Sequence, residues 1–404
     1  MDKELLKAAM SGDCVSMWAL ASNDPSILLG TTPAGNTCLH ISSIHGHQTF
    51  CKDVVAREES LLAAVNMDGE TPLLTAVRSG CVHLASVLLQ CYCERRWSEA
   101  TVKQDMDGCN ALHHAIRSGH GELALELIAA EPSLAKAVNK FDKSPMFVAA
   151  MRNFVDVLEK LLEIPDSAHG GPWGFNVLHA AVAIGSPVIA KRVMETRPRM
   201  AAERIIDKRP GMTRDICPNG FTPAGLAVFH NKVDVLRVLL QHDSSLGYDV
   251  NNKFGVTLLD AAAYHGHVDV ARELLNHCPD APYRQVSHAT CLHTAVRYGH
   301  TRFIEFILKT PQLRKLVNMR DKNGKTALHN AVRTCNPRVV AALLVHKDIN
   351  TTLFDKCLVS ASRELSCLIG NAKTLYWIYF SISGDALSVG GDVPVDDEAP
   401  TMTS

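Results

Sequence analysis

The chain has 404 residues, of which 47% are hydrophobic and 21% charged, and its formal net charge is −1 at pH 7. This balance is typical of a soluble globular protein, and the lack of a basic excess argues against nucleic-acid binding, which usually needs a basic face. The longest apolar stretch near the C-terminus, residues 375–382, is far shorter than the roughly 20 residues that a helix needs to span a bilayer. We therefore expect a cytoplasmic protein with no direct membrane span.

The first 30 residues begin with a charged, amphipathic segment and carry no signal peptide. The run Leu5-Leu6-Lys7-Ala8-Ala9-Met10-Ser11-Gly12-Asp13 resembles the units that follow it but lacks their anchor. Residues 1–30 are therefore predicted to form a capping unit at the N-terminal end.

Nine short segments then repeat one pattern. They begin at Thr37, Thr71, Asn110, Ser144, Asn176, Thr222, Thr257, Thr290 and Thr326, so successive starts are 34, 39, 34, 32, 46, 35, 33 and 36 residues apart. The most regular copies read T-C-L-H, N-A-L-H or T-A-L-H, and most continue x-A-x-x-x-G-H. A period near 33 residues with such an anchor resembles the ankyrin repeat. The resemblance implies an all-α fold, an ankyrin-repeat solenoid of about ten stacked helix-turn-helix units with finger loops.

Two positions of the pattern explain how such units stack. The sixth is always small, as in Ser42, Ala76 and Ala295, because two helices approach closely only where the side chain is small. The tenth is usually glycine, which suits a helix end with positive φ, and the next-best residue fills it at Asn153 and Asn231. We predict nine repeats over residues 31–352, a degenerate C-terminal cap over 353–374, and a short apolar segment with a disordered acidic tail over 375–404.

The histidines and cysteines resemble metal ligands or catalytic groups only when the repeat is ignored. His40, His113, His179, His293 and His329 all occupy the fourth anchor position, and His47, His120, His267 and His300 all occupy the eleventh. Histidines that recur at the same positions of the repeat are expected to have a structural role, since an imidazole at a turn can hydrogen-bond neighbouring backbone. The thirteen cysteines are scattered with no C-x-x-C pair, which favours reduced thiols packed as small hydrophobes. We expect no catalytic residue, no metal and no cofactor, and hence no enzyme.

Two units are longer than the rest. One carries extra residues at Cys91–Trp97 and the other carries Arg197–Pro218, a segment with a net charge of +3. Insertions in a solenoid are expected to emerge as loops on one face. They are either tolerated loops with solvated charge or binding loops, and the sequence leaves both interpretations open.

The ends of the first helices, positions eight and nine of the pattern, show no need for a packing residue and are free to specialise. In ankyrin arrays these positions and the finger tips line the concave face, so the resemblance implies that partners bind there. Arginine and tyrosine are enriched at binding hot spots, and two clusters of candidate partner-binding residues follow. The first is Arg78, Arg117 and Arg152, and the second is Phe229, His230, Tyr264, His265, Arg297, Tyr298 and Arg333. Met151, Ala183 and Ile184 are predicted to form an apolar saddle between them.

A finer resemblance is carried by residues 321–332, D-K-N-G-K-T-A-L-H-N-A-V, by residues 335–344, C-N-P-R-V-V-A-A-L-L, and by residues 371–375, N-A-K-T-L. These stretches resemble the plant ankyrin–transmembrane family of the accelerated-cell-death type. The resemblance implies a role in defence or stress signalling at the plasma membrane. The P-G-G motif and the membrane helices of that family are absent from this sequence, which departs from the family at about Leu375, as a truncated product or splice form would.

The sequence thus predicts a non-catalytic scaffold for protein–protein interaction, in plant defence or stress signalling, that binds other proteins through the concave helix face and the fingers. The alternative is a truncated or paralogue-tethered subunit of a plasma-membrane ankyrin–transmembrane protein with signalling or channel-like activity. In that case the chain would lie at the inner face of the plasma membrane through association with paralogues.

Overall fold

The computed structural model describes residues 1–196, 212–251, 253–285, 288–334 and 336–368, with no account of the side chains of residues 365–368. The N-terminal part of the long insertion, residues 197–211, lies outside these ranges, as do Cys335 and the acidic tail over residues 375–404. Apart from two short strands, the regular elements of the described chain are helices. The chain divides into two compact units, Met1–Phe254 and Gly255–Ser404.

The helices come in antiparallel pairs, each pair forming one repeat, and we number the repeats from the N-terminus. In the first unit, the first and second helices are Lys3–Ser11 and Cys14–Asn23 in repeat 1; Cys38–His45 and Gln48–Arg57 in repeat 2; Pro72–Arg78 and Val82–Glu94 in repeat 3; Ala111–Ser118 and Gly121–Ala130 in repeat 4; Pro145–Met151 and Val155–Glu163 in repeat 5; Val177–Ile184 and Pro187–Thr196 in repeat 6; and Pro223–Phe229 and Val233–His242 in repeat 7. In the second unit the pairs of repeats 8 to 10 are Leu258–His265 and Val268–His277, Cys291–Arg297 and Thr301–Lys309, and Ala327–Arg333 and Pro337–Leu344.

Shorter elements lie between the pairs. A four-residue helix spans Ser98–Thr101, and Ala361–Leu368 is a single helix after repeat 10. Two-residue strands span Val250–Asn251 and Val256–Thr257. In the described ranges, the 3-10 helices are Pro25–Leu29, Glu59–Ala63, Pro132–Lys136, Pro172–Gly174, Ser244–Tyr248 and Pro311–Leu316.

The ends of the first helices follow from the repeated pattern. The first anchor residue is the N-cap, and the side chain of Thr37 or Asn110 accepts a hydrogen bond from a backbone amide of the first turn. Gly46 ends its helix in the left-handed conformation with φ of 75°. Asn153 and Asn231 occupy the same position with φ of 58° and 56°. The prediction that asparagine replaces glycine there is confirmed.

Within each unit the first helices pack in chain order, each against the next, and the second helices do the same. The small residue at position six lies at these contacts and is fully buried in every repeat from 2 to 10. This set is Ser42, Ala76, Ala115, Ala149, Ala181, Ala227, Ala262, Ala295 and Ala331. The close approach that the sequence predicted is therefore confirmed, and a larger side chain at any of these positions would force the helices apart.

The finger loops are joined by backbone hydrogen bonds from one repeat to the next. The amide of Met67 donates to the Ala34 carbonyl at 3.0 Å, and the amide of Met106 donates to the Asp68 carbonyl at 2.9 Å. In the second unit the amide of Lys356 donates to the Asn323 carbonyl at 3.1 Å. The fingers are thereby held in a fixed row beside the first helices.

The extra residues of repeat 3, Cys91–Trp97, were expected to emerge as a loop, and this expectation was wrong for residues 91–94. Residues 91–94 continue the second helix, which runs from Val82 to Glu94. Tyr92 is buried, and its hydroxyl donates to the Leu62 carbonyl at 2.5 Å. Leu84, Leu88 and Tyr92 are four residues apart, so the apolar face of the helix continues through the insertion and keeps it packed.

Candidate partner-binding surface

The anchor histidines are used by the fold. In each of the five, the Nε2 atom lies within hydrogen-bond distance of a carbonyl in the following finger, at 2.9 Å from Glu70 for His40 and 2.9 Å from Lys143 for His113. The Nδ1 atom of His40 accepts from the backbone amide of Thr37. Each ring therefore joins the start of one helix to the next finger. The prediction that these histidines bond neighbouring backbone is confirmed.

Burial lowers the pKa of four of these rings, those of His40, His113, His179 and His293, which favours their neutral form. Desolvation lowers the pKa of His113 to about 4 and that of His179 to about 4, against an ordinary value of 6.5. Burial also lowers the pKa of His40 and of His293. A neutral ring with both nitrogens in use offers neither a metal lone pair nor a free proton to a ligand.

The histidines at position eleven also bond neighbouring repeats. His47 Nε2 lies 2.8 Å from the Met10 carbonyl of repeat 1, and His300 Nε2 lies 2.9 Å from the Tyr264 carbonyl of repeat 8. Each bond links the start of the second helix of one repeat to the end of the first helix of the preceding repeat. These two rings are also part of the repeat, as the register predicted.

One cluster in the described residues has the composition of a metal site: Asp105, Cys109 and His114, with ligand atoms within 4.8 Å of one another. Asp105 already accepts from His114 Nε2 at 2.6 Å, and Arg117 donates to His114 Nδ1 at 2.7 Å. Asn139 donates to the Cys109 sulfur at 3.3 Å, and burial raises the pKa of this thiol. Since a metal would have to replace these bonds and ionise a disfavoured thiol, we assign a structural role to the cluster.

The three arginines of the first predicted cluster lie at the exposed ends of consecutive first helices but have different partners. Arg78 forms an ion pair with the buried carboxylate of Glu70. Arg117 bonds the His114 ring, and the Arg152 guanidinium donates to the Arg117 carbonyl. Arg78 is therefore neutralised within the protein, whereas Arg117 and Arg152 lie side by side with no carboxylate at ion-pair distance in the described chain.

Arg117 and Arg152 border a groove on the first helices and fingers of repeats 4 to 7, with a volume of about 620 Å³. Aromatic and aliphatic side chains from two fingers and three helices line most of it. Those from the fingers are Phe141, Pro172, Trp173 and Phe175, and those from the helices include Phe147, Met151 and Ala183. Of the predicted apolar saddle, Met151 and Ala183 line this groove, whereas Ile184 is not among the lining residues.

The second predicted cluster is divided between the two units. His230 lines the groove of the first unit, and the half-buried Phe229 packs against Phe221 with ring centroids 5.3 Å apart. The remaining five residues belong to the second unit, at the ends of the first helices of repeats 8 to 10. They are Tyr264, His265, Arg297, Tyr298 and Arg333.

In the second unit the two tyrosines form a pair on the surface. The rings of Tyr264 and Tyr298 have centroids 4.4 Å apart, and each side chain is exposed by nearly half. His265 packs edge-on against Tyr264 with centroids 4.8 Å apart. Arg297 and Arg333 are exposed beside them on successive helices. Rigid aromatic area next to cations is the composition of a binding hot spot.

The sequence interpretation missed the apolar finger tips. Met67, Met106, Phe141 and Trp173 lie on four successive fingers of the first unit and are 70%, 62%, 57% and 72% exposed. A large apolar side chain in a loop just before the next anchor is a signal that the sequence contains. The repeated pattern covers the anchors and helix ends but not the finger tips, so the period alone does not identify these residues.

None of the helices in the described ranges is both long enough and apolar enough to cross a membrane. The sequence prediction of no direct span concerned the whole chain, and the finding covers only the residues that the structure describes.

Comparisons with known proteins agree with the repeated architecture. Residues 5–95, 59–137, 178–284 and 278–355 each match the family model described as "Ankyrin repeats (3 copies)". The chain is 27% identical over 177 residues to a putative E3 ubiquitin-protein ligase, XBAT31 of Arabidopsis thaliana, covering 41% of this chain and 36% of that protein. It is 25% identical over 177 residues to the protein ACCELERATED CELL DEATH 6 of the same organism, covering 41% and 26%.

Inversin of Gallus gallus is 29% identical over 250 residues, covering 60% of this chain and 21% of that protein. The chain therefore spans between about a fifth and about a third of the length of these relatives. Among solved structures, the human ASB11 ankyrin repeat domain is 23% identical with a TM-score of 0.43, covering 60% of this chain and 98% of that domain.

Proposed function

Since the chain belongs to the ankyrin repeat family, whose members generally act as non-catalytic scaffolds for protein–protein interaction, we propose that it binds partner proteins through the first-helix ends and the finger loops. One observation carries this proposal. The buried pattern positions are alike from repeat to repeat, while the exposed helix ends carry different residues, with arginine at Arg117 and a tyrosine pair at Tyr264 and Tyr298. Such preformed, rigid surfaces bind with little ordering cost.

The proposed partner-binding residues belong to two surfaces. In the first unit they are Arg117, Arg152, Phe229 and His230, with Arg78 held by its own ion pair. In the second unit they are Tyr264, His265, Arg297, Tyr298 and Arg333. No role for a nucleic acid or a cofactor is included in the proposal.

The biological setting that we propose is plant defence or stress signalling in the cytoplasm. Two relatives from Arabidopsis thaliana support it: one is called ACCELERATED CELL DEATH 6 and the other a putative E3 ubiquitin-protein ligase.

A second function is favoured by the same match to ACCELERATED CELL DEATH 6. In it, the chain is a subunit held at the inner face of the plasma membrane by a full-length paralogue through association of their repeats. Membrane fractionation of plant cells with and without such a paralogue separates the two functions. Recovery of the chain in the membrane fraction only when the paralogue is present would support the tethered subunit.

The scaffold proposal is tested by affinity purification from plant cell extract, read by mass spectrometry. Wild-type chain is compared with a variant in which Tyr264, Arg297, Tyr298 and Arg333 are changed to alanine and with an Arg117→Gln, Arg152→Gln variant. Partners captured by wild type and lost from one variant assign them to that surface. If both variants, verified as folded by circular dichroism, capture the wild-type set, the proposed surfaces are wrong.

A further inference from the structure

The groove of repeats 4 to 7 has the size and the walls of a site for a large apolar side chain. Its volume is about 620 Å³, within the range of roughly 300–1,000 Å³ typical of ligand sites. Phe147 is 7% exposed and forms part of its wall, while Trp173 on the neighbouring finger is 72% exposed. An apolar group entering here would contact a fixed ring below and cover an exposed ring beside it.

The charged side chains that line the groove are all positive: Arg117, Lys143 and Arg152. Among the described residues none of the three has a carboxylate at ion-pair distance, and no lining residue is acidic. Elsewhere in the same unit arginines are paired, as Arg192 is with Glu159 at 2.7 Å. The groove therefore presents uncompensated positive charge at its border, although the whole chain has a net charge of −1.

Two of the three histidines in the walls do not change this charge. His113 and His179 line the groove, but the ring nitrogens of each lie against its N-cap residue and a finger carbonyl. Burial lowers the pKa of each to about 4. At neutral pH these two rings contribute apolar area rather than charge to the groove.

On this basis, and resting on the proposed function, we infer that the groove binds an extended acidic segment of a partner protein in which a bulky apolar side chain lies beside carboxylates. The apolar side chain occupies the space between Phe147 and Trp173. The carboxylates pair with Arg117 and Arg152, whose planar guanidinium groups suit two-pronged hydrogen bonding to carboxylates. A nucleic acid fits less well, because three cations around an apolar floor do not follow a phosphate backbone.

The test is a selection of short random peptides displayed against the full chain, followed by fluorescence anisotropy with the recovered peptides after labelling. We expect the recovered peptides to carry Asp or Glu next to Phe, Trp, Leu or Ile. Binding should weaken as salt is raised, because the charge pairs are solvent-exposed. Replacing the acidic residues of a peptide by their amides should weaken binding about tenfold or more and remove most of the salt dependence.

Two protein variants locate the site. Arg117→Gln, Arg152→Gln should weaken binding about tenfold or more, and Trp173→Asn should weaken it independently of salt. Asparagine is chosen because Trp173 has φ of 56°, which asparagine tolerates. The matched control is Lys160→Gln, an exposed cation on the second helix of the same repeat as Arg152, which should leave the affinity unchanged.

The inference is overturned if no peptide is recovered, or if the recovered peptides lack acidic residues. It is also overturned if they bind both groove variants as tightly as wild type. If the peptides fail to bind only the variant at Tyr264, Arg297, Tyr298 and Arg333, the inference about the groove is wrong. The proposed function would then rest on the surface of the second unit. If affinity purification also captures no partner, the proposed function fails as well.

Discussion

Acid should destabilise this protein in a pH range set by its buried histidines. For His113 and His179 the pKa is about 4 in the folded chain and about 6.5 when exposed on unfolding. Above pH 6.5 both states are neutral at these rings and the full stabilisation is present. As the pH falls from 6.5 to 4, only the unfolded chain takes up protons, so the free energy of unfolding decreases. Below pH 4 these two rings cause no further loss.

The magnitude follows from the gap between the two pKa values. At about pH 5 each ring has cost about 2 kcal/mol of the free energy of unfolding, and the complete loss below pH 4 is about 3 kcal/mol per ring. Together the two rings remove about 4 kcal/mol between pH 7.5 and pH 5, a large share of a typical stability of about 5–15 kcal/mol. Burial lowers the pKa of His40 and His293 as well, so their contributions have the same sign.

Urea unfolding followed by far-ultraviolet circular dichroism at about pH 7.5, 6 and 5 measures this loss. The double variant His113→Gln, His179→Gln should be less stable at neutral pH but should lose about 4 kcal/mol less between pH 7.5 and 5. His83→Gln, at an exposed position on the second helix of repeat 3, is the control and should keep the wild-type dependence. The reasoning is refuted if wild type is equally stable at pH 7.5 and 5, or if the double variant keeps the wild-type dependence.

Substitutions at three positions test local features of the fold by urea or thermal unfolding. Asn231→Ala should cost about 1 kcal/mol because φ is 56°, whereas Asn231→Gly should be close to neutral; equal losses would contradict the backbone argument. Tyr92→Phe should lower the free energy of unfolding by about 1–2 kcal/mol, because the buried Leu62 carbonyl loses the hydrogen bond that it accepts at 2.5 Å. An unchanged free energy of unfolding would mean that water replaces the hydroxyl. Asp260→Ala should lower the free energy of unfolding by about 1–3 kcal/mol more than Asp260→Asn. Asparagine keeps an acceptor for the Thr294 hydroxyl, which donates to Asp260 at 2.5 Å. A larger loss for Asp260→Asn than for Asp260→Ala would show that packing dominates.

The repeated part of the fold could be predicted from the sequence because each repeat solves the same packing problem. The buried small residue and the helix-ending glycine or asparagine have one structural use each, so their recurrence identifies it, as Ala115 and Asn231 show. The same logic assigned His113 to the turn rather than to catalysis. Residues 91–94 were expected to form a loop because spacing records only the number of extra residues. Whether they fold depends on the apolar face, which Tyr92 continues.

The groove could be predicted only in part. Met151 and Ala183 were expected at an apolar saddle because they occupy a known position of the repeat. Phe141 and Trp173 were not, because finger tips do not follow the anchor pattern. Their place beside the first helices depends on the row of finger hydrogen bonds, such as the bond from the Lys140 amide to the Asp107 carbonyl at 2.9 Å. A one-dimensional period carries no information on which tips face which helix ends.

Polar groups that the repeats use for themselves are not available for recognition, and this separates residues that look alike in the sequence. Arg78 and Arg117 occupy the same pattern position, but Glu70 neutralises Arg78, whereas Arg117 meets only the neutral ring of His114. A partner carboxylate would have to compete with the Glu70 carboxylate at the first arginine, but only with an uncharged ring and water at the second. The net gain from pairing is therefore larger at Arg117, and we expect the proposed cationic binding surface to begin at repeat 4 rather than at repeat 3.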